Sequence, residues 1–185
     1  MEKERDIHKI HAVSCDNSVT QWETQKKIYE SSYTAAYNDH SAASQALDAA
    51  QKALTIASAD LSEANENLDR FWNLASKYSY SVVADDIESW QAKRNDARAR
   101  KAAAEADIPM QEAIIAAAEQ HMDDTQKRIV MAESMITHFE NREAYHDGEV
   151  ARLQQQIDDL NAEKAAEEQK KKQLDTDYEN KDSGE

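Results

Sequence analysis

The chain has 185 residues, two glycines, one proline and a formal net charge of −15. So few turn-forming residues exclude an ordinary sheet protein, and the abundance of alanine, glutamate, lysine, glutamine and aspartate is the makeup of long helices. An acidic surface is repelled by phosphate backbones and anionic lipid, so neither nucleic acid nor a membrane is expected as a partner.

The expected fold class is all-α: an elongated antiparallel helical hairpin of coiled-coil type, followed by a third C-terminal helix that either folds back to make a three-helix bundle or pairs with another chain. Residues 1–18 predict a short helix or arm, with Ile7 and Ile10 on one side. Asp16-Asn17-Ser18 reads as a stop and restart, because Ser18 with Gln21 matches a capping box.

Residues 19–78 contain no helix breaker. Val19, Lys26, Tyr33, His40, Leu47, Leu54, Leu61, Leu68 and Ala75 fall at position a of a heptad, and Trp22, Tyr29, Ala36, Ala43, Ala50, Ala57, Ala64, Phe71 and Tyr78 at d. Apolar residues at alternating steps of three and four mark a helix seam, and alanine at d lets a second helix approach closely. Residues 79–86, rich in serine and β-branched residues, predict a connecting loop that ends in an Asp85–Glu88 cap.

A second frame covers 87–146. Its a positions are Ile87, Arg94, Lys101, Ile108, Ile115, Met122, Ile129, Ile136 and Glu143. Its d positions are Trp90, Ala97, Ala104, Gln111, Ala118, Thr125, Ala132, Phe139 and His146. Pro109 lies inside this frame without changing its phase, which predicts a kink or a brief break rather than a long loop. Folding about the middle of the expected loop sets Leu68 against Ala97, Leu61 against Ala104, Leu47 against Ala118, Ala57 against Ile108 and Ala50 against Ile115. Large against small in successive layers is what close packing requires. The same fold places the basic cluster Lys93, Arg94, Arg98, Arg100 and Lys101 opposite Asp60, Glu63, Glu66 and Asp69.

Asp147-Gly148 reads as a helix C-terminus. A charged helix is expected over 149–178, with Val150, Leu153, Ile157 and Leu160 in heptad spacing, and a disordered tail over 179–185. This last stretch, from 147 on, holds twelve acids and six bases, a net −6.

Chemistry is sparse. His8, His11 and Cys15 share a helix face and are metal-ligand types, but no fourth ligand is evident. Glu143 and His146 have the Glu-x-x-His spacing of di-metal carboxylate bundles, which need two such motifs; only one is present. No glycine-rich phosphate loop or nucleophile elbow occurs. No cofactor and no enzymatic activity are expected.

Aromatic residues poorly explained by the seam, Tyr37, Trp72 and Tyr80, are candidate interface residues together with Val150, Leu153, Ile157 and Leu160. The expected function is a structural or assembly protein, a spacer or scaffold that packs with itself or with a protein partner. The alternatives are a helical adaptor or chaperone-like binding protein and, remotely, a carboxylate-histidine metalloprotein. With no apolar leader, no membrane-spanning run and a single cysteine, a cytoplasmic or virion-interior setting is expected, and leaderless secretion fits as well.

Overall fold

The computed structural model of the chain describes the backbone of residues 1–182 and the side chains of residues 1–177. Among the described residues there are two helices and no strand: α1 (Glu2–Lys77) and α2 (Tyr80–Asp182). They pack against each other as a helical hairpin. Its contacts divide into two units, Tyr29–Lys127 and Met1–Ile28 with Arg128–Glu185.

The heptad reading accounts for what is buried. Every a and d position of the two frames is buried or half-buried, apart from Tyr78 at the turn. Ala57, Ala64, Ala97 and Ala132 are completely buried. Alanine contributes little apolar area, so the helices gain stability by close approach along a narrow line rather than by a broad core.

In the Tyr29–Lys127 unit, Tyr78 and Ser79 alone join the helices; the expected eight-residue loop is absent. The Tyr78 N–H donates to the Leu74 carbonyl (3.0 Å), and the Val82 N–H to the Ser79 carbonyl (3.3 Å). No described residue has a positive φ, so the reversal needs no glycine. Residues 80–86, read as a loop from their β-branched and serine content, form the first turns of α2. Asp85 therefore lies inside a helix rather than at its start. The reason is tertiary: Val83 and Ile87 bury against Leu68, with Phe71, Leu74, Ala75 and Trp90 around them. That contact outweighs the weak local preference of valine for strands and loops.

The short turn also corrects the layer pairing, which is displaced by one heptad, about 10 Å along the axis. Asp60 meets Arg100 at 2.9 Å, and His40 meets Glu119 at 3.4 Å. Ala46, Ala50 and Ala53 share a trough with Ala103, Ala104 and Asp107, so Ala50 does not face Ile115. The expected pairings of Leu47 with Ala118 and Leu61 with Ala104 are likewise two helical turns out of step. Size complementarity alone could not detect this, because a slide of seven residues again places each a opposite a d. The Arg94 Nε is buried without a hydrogen-bond partner.

Pro109 lies within α2, exposed, and the helix continues through it.

In the unit made of Met1–Ile28 and Arg128–Glu185, two further expectations change. The short N-terminal helix is not separate: α1 runs through Asp16-Asn17-Ser18, and the Ser18 hydroxyl donates back to the Ser14 carbonyl (2.9 Å) instead of capping. Nor is there a third helix among the described residues, because α2 runs through Asp147-Gly148. The physical cause is the same in both places. Ala12 and Cys15 are buried at heptad positions upstream of Val19, and Leu153 and Ile157 downstream of His146. Burial of this continued seam holds the backbone helical across residues that favour ends. The expected tail, 179–185, lies in part outside the described residues; its backbone to Asp182 belongs to α2.

Candidate functional site

Two groups of side chains stand apart from the alanine seam, one in each unit.

The first is an aromatic cluster at the turn. Trp72, one turn and a half before the end of α1, and Tyr80, the first residue of α2, stack across the reversal with ring centroids 5.9 Å apart and planes at 27°. Both remain about half exposed, and Tyr78 and Val82 beside them are 77% and 72% exposed. The sequence reading of Trp72 and Tyr80 as surface aromatics agrees with this placement, and the turn brings the two together. Tyr37, elsewhere in the same unit, is also exposed.

The basic stretch nearby is largely spent inside the hairpin. Arg100 holds Asp60 and Asp96, and these two carboxylates raise the guanidinium pKa above its ordinary value. The Lys93 ammonium lies 3.8 Å from the centre of the Trp90 ring, a cation–π contact. These groups share one shallow hollow with Glu63.

The second group is a histidine layer in the Met1–Ile28 and Arg128–Glu185 unit. His8 and His146 approach with their Nδ1 atoms 2.8 Å apart. His11 stacks on His146, with centroids 5.1 Å apart and planes at 19°. Tyr145 meets both His8 and His146 edge to face. Beside the layer, Arg5 donates to the side-chain amide oxygen Oε1 of Gln154 (2.7 Å), and Arg152 pairs with Glu149 (2.8 Å). Arg152 holds the Glu149 carboxyl below its usual range. The His146 pKa is lowered, first by burial and then by the neighbouring His11, His8 and Arg142 charges; Asp147 opposes weakly.

Two sequence motifs that seemed unrelated, His8-His11-Cys15 and Glu143–His146, thus face each other across one seam. Cys15 is buried, 5% exposed, as the next d residue after His8. Among the described residues, no three His, Cys, Asp or Glu side chains are arranged to hold a metal ion. The near-parallel rings of His11 and His146 do not aim their nitrogens at a common point.

Of the other candidate interface residues, Leu153 and Ile157 are 2% and 7% exposed and lie in the interior of their unit. Val150 is half-buried, and Leu160 is exposed. The outer face of α1 instead presents Ile7, Ile10 and Val13, each more than half exposed. The step of three between these residues was visible in the sequence. Ile7 and Ile10 were expected to share one side of a short helix, and they do share a face of α1, which is exposed.

No family model, curated protein or solved structure matches this chain. Among the described residues, no helix is long and apolar enough to cross a membrane.

Proposed function

We propose that this chain is a non-enzymatic structural or assembly protein, a coiled-coil spacer or scaffold that works through helix–helix packing with further copies or with a protein partner. The observation that carries the reading is the placement of its apolar side chains. In a chain whose buried residues are mostly alanine, Ile7, Ile10 and Val13 stand outside on α1, and Trp72, Tyr78, Tyr80 and Val82 stand outside at the turn. Exposed aliphatic strips and aromatic clusters of this kind are characteristic of protein contact surfaces. The troughs between the helices are shallow and lined mainly by alanine, which suits a helix laid alongside better than a reacting small molecule.

Sedimentation equilibrium of the full chain tests the reading. The expected result is a mass above that of one chain, reduced towards it by Trp72→Ala with Tyr80→Ala or by Ile10→Lys. A strict monomer at about millimolar concentration, where even weak self-association is populated, would point away from self-assembly. If that monomer also recovered no stoichiometric protein partner from its native source, the scaffold reading would fall.

A second reading, a helical adaptor or chaperone-like binding protein, draws support from the stretch of α2 beyond Ile157. Every side chain from Asp158 to Asp177 is exposed, and the stretch is rich in acid. Such a surface suits a basic partner. This reading predicts a single stoichiometric partner whose binding weakens steeply with salt.

A further inference from the structure

The histidine layer has a property that the alanine layers lack: its packing depends on protonation. The contact between His8 Nδ1 and His146 Nδ1 is a hydrogen bond only while one nitrogen carries the proton and the other is bare. Protonating both rings leaves two donors pointed at each other at 2.8 Å. His11 stacks face to face on His146, so a charge on each places one cation over another at about 5 Å.

We propose that His8, His11 and His146 form an acid-sensitive latch, closed when the rings are neutral, that holds the N-terminal part of α1 against residues 142–157 of α2. Acid opens it and frees Cys15, Leu153 and Ile157, which are buried in the closed form.

The groups that face the layer decide the sign. From α2 come Arg142, Glu143, Tyr145, Asp147, Glu149 and Arg152; from α1 come Glu4 and Arg5. Four carboxylates could in principle welcome a proton on the rings. Glu149 is held first by Arg152, with His8 the smallest influence on it, Glu4 acts on Arg152, and Glu143 is not among the groups that shift His146. Asp147 is the weakest influence on His146, behind burial, His11, His8 and Arg142. Disfavoured charging wins at His146, whose folded-state pKa is lowered. As pH falls through about 6.5 the unfolded chain therefore takes up this proton first, and the contribution of the layer to stability is lost. Above that pH both states are neutral at this ring and the latch is closed.

Cys15 is the only cysteine of the chain and reports opening directly. Its labelling by a dipyridyl disulfide, a reagent that attacks thiols even in acid, is measured with EDTA present at about pH 7.5 and about pH 5.5. Each rate is divided by that of the same chain unfolded in urea at the same pH. One linked proton that titrates at about pH 6.5 in the open form changes the opening constant by at most about tenfold over this interval, so the ratio for the native sequence should rise severalfold, up to about tenfold, on acidification. His146→Leu, which fills the same seam position with an apolar side chain, should abolish most of that rise while far-UV circular dichroism stays helical. His8→Asn, which removes the facing ring without enlarging the side chain, should reduce it independently. A flat ratio in the native sequence would overturn the latch, as would a rise of equal size in both variants.

Discussion

The two units use one heptad spacing and fill it with different chemistry. In Tyr29–Lys127 the buried seam is mainly alanine, Ala36, Ala43, Ala50, Ala57 and Ala64 on α1 with Ala97, Ala104 and Ala118 on α2, closed by Leu68, Val83 and Ile87 at the turn, and its polar positions His40, Arg94 and Lys101 are half-buried. In the other unit, the seam positions include His8, Cys15 and Lys26 on α1 and Glu143 and His146 on α2, beside the aliphatic pair Leu153 and Ile157. Lys26 reaches outward to Glu133 at 2.8 Å rather than packing inside. Spacing therefore places a side chain in the seam but does not fix what holds it there. Apolar layers depend on fit and are indifferent to pH. Layers of imidazole depend on which nitrogen holds a proton.

The contrast can be tested residue by residue. The largest effect is expected at the turn, where Ile87 is fully buried in the apolar cluster. Ile87→Ala should destabilise the chain by about 2–5 kcal/mol, read from urea unfolding followed at 222 nm, with little change between neutral and mildly acid pH. A loss below about 0.5 kcal/mol, the range of ordinary surface substitutions, would mean that the cluster does not anchor the reversal.

A smaller and opposite effect is expected at Pro109, which is exposed inside α2. Proline in a helix interior costs up to about 3 kcal/mol relative to alanine, so Pro109→Ala should raise the urea midpoint. A lowered midpoint would show that the proline serves a packing role on this face.

The smallest effect belongs to Gly148 in the other unit. A Cβ built there meets nothing within 4 Å, and the residue does not use a positive φ. Gly148→Ala should stabilise by about 0.5–1 kcal/mol, seen as a modest rise in melting temperature. If the gain is absent at neutral pH, the helix is not continuous through this position in solution.

Most of the architecture was legible in the heptad frames, because burial of a seam imposes a period that survives in the sequence. The errors have one origin. Asp16-Asn17-Ser18, residues 79–86 and Asp147-Gly148 were read as ends from local chemistry. At the first and last of these the apolar phase ran on undisturbed, through Ala12 and Cys15 and through Val150 and Leu153, and at 79–86 the second frame extends back to Val83. Phase continuity was the better guide, since capping is worth about 1 kcal/mol and a buried aliphatic side chain more than that. The candidate site residues were half legible. Trp72 and Tyr80 were singled out because the seam could not use them. The histidine layer was visible only as two unrelated motifs more than a hundred residues apart in the chain.

By itself, the sequence determined the helical class, the two seams and which residues line them. Alanine, leucine and isoleucine at steps of three and four leave the chain no other regular way to bury its apolar surface. Only the tertiary structure decided the register, the two-residue turn and the meeting of His8 and His11 with His146. A heptad repeat is unchanged by a slide of seven residues, so pattern alone cannot choose among registers. The choice falls to contacts such as Leu68 with Val83 and Ile87, and Asp60 with Arg100, that form in one alignment and not in the next.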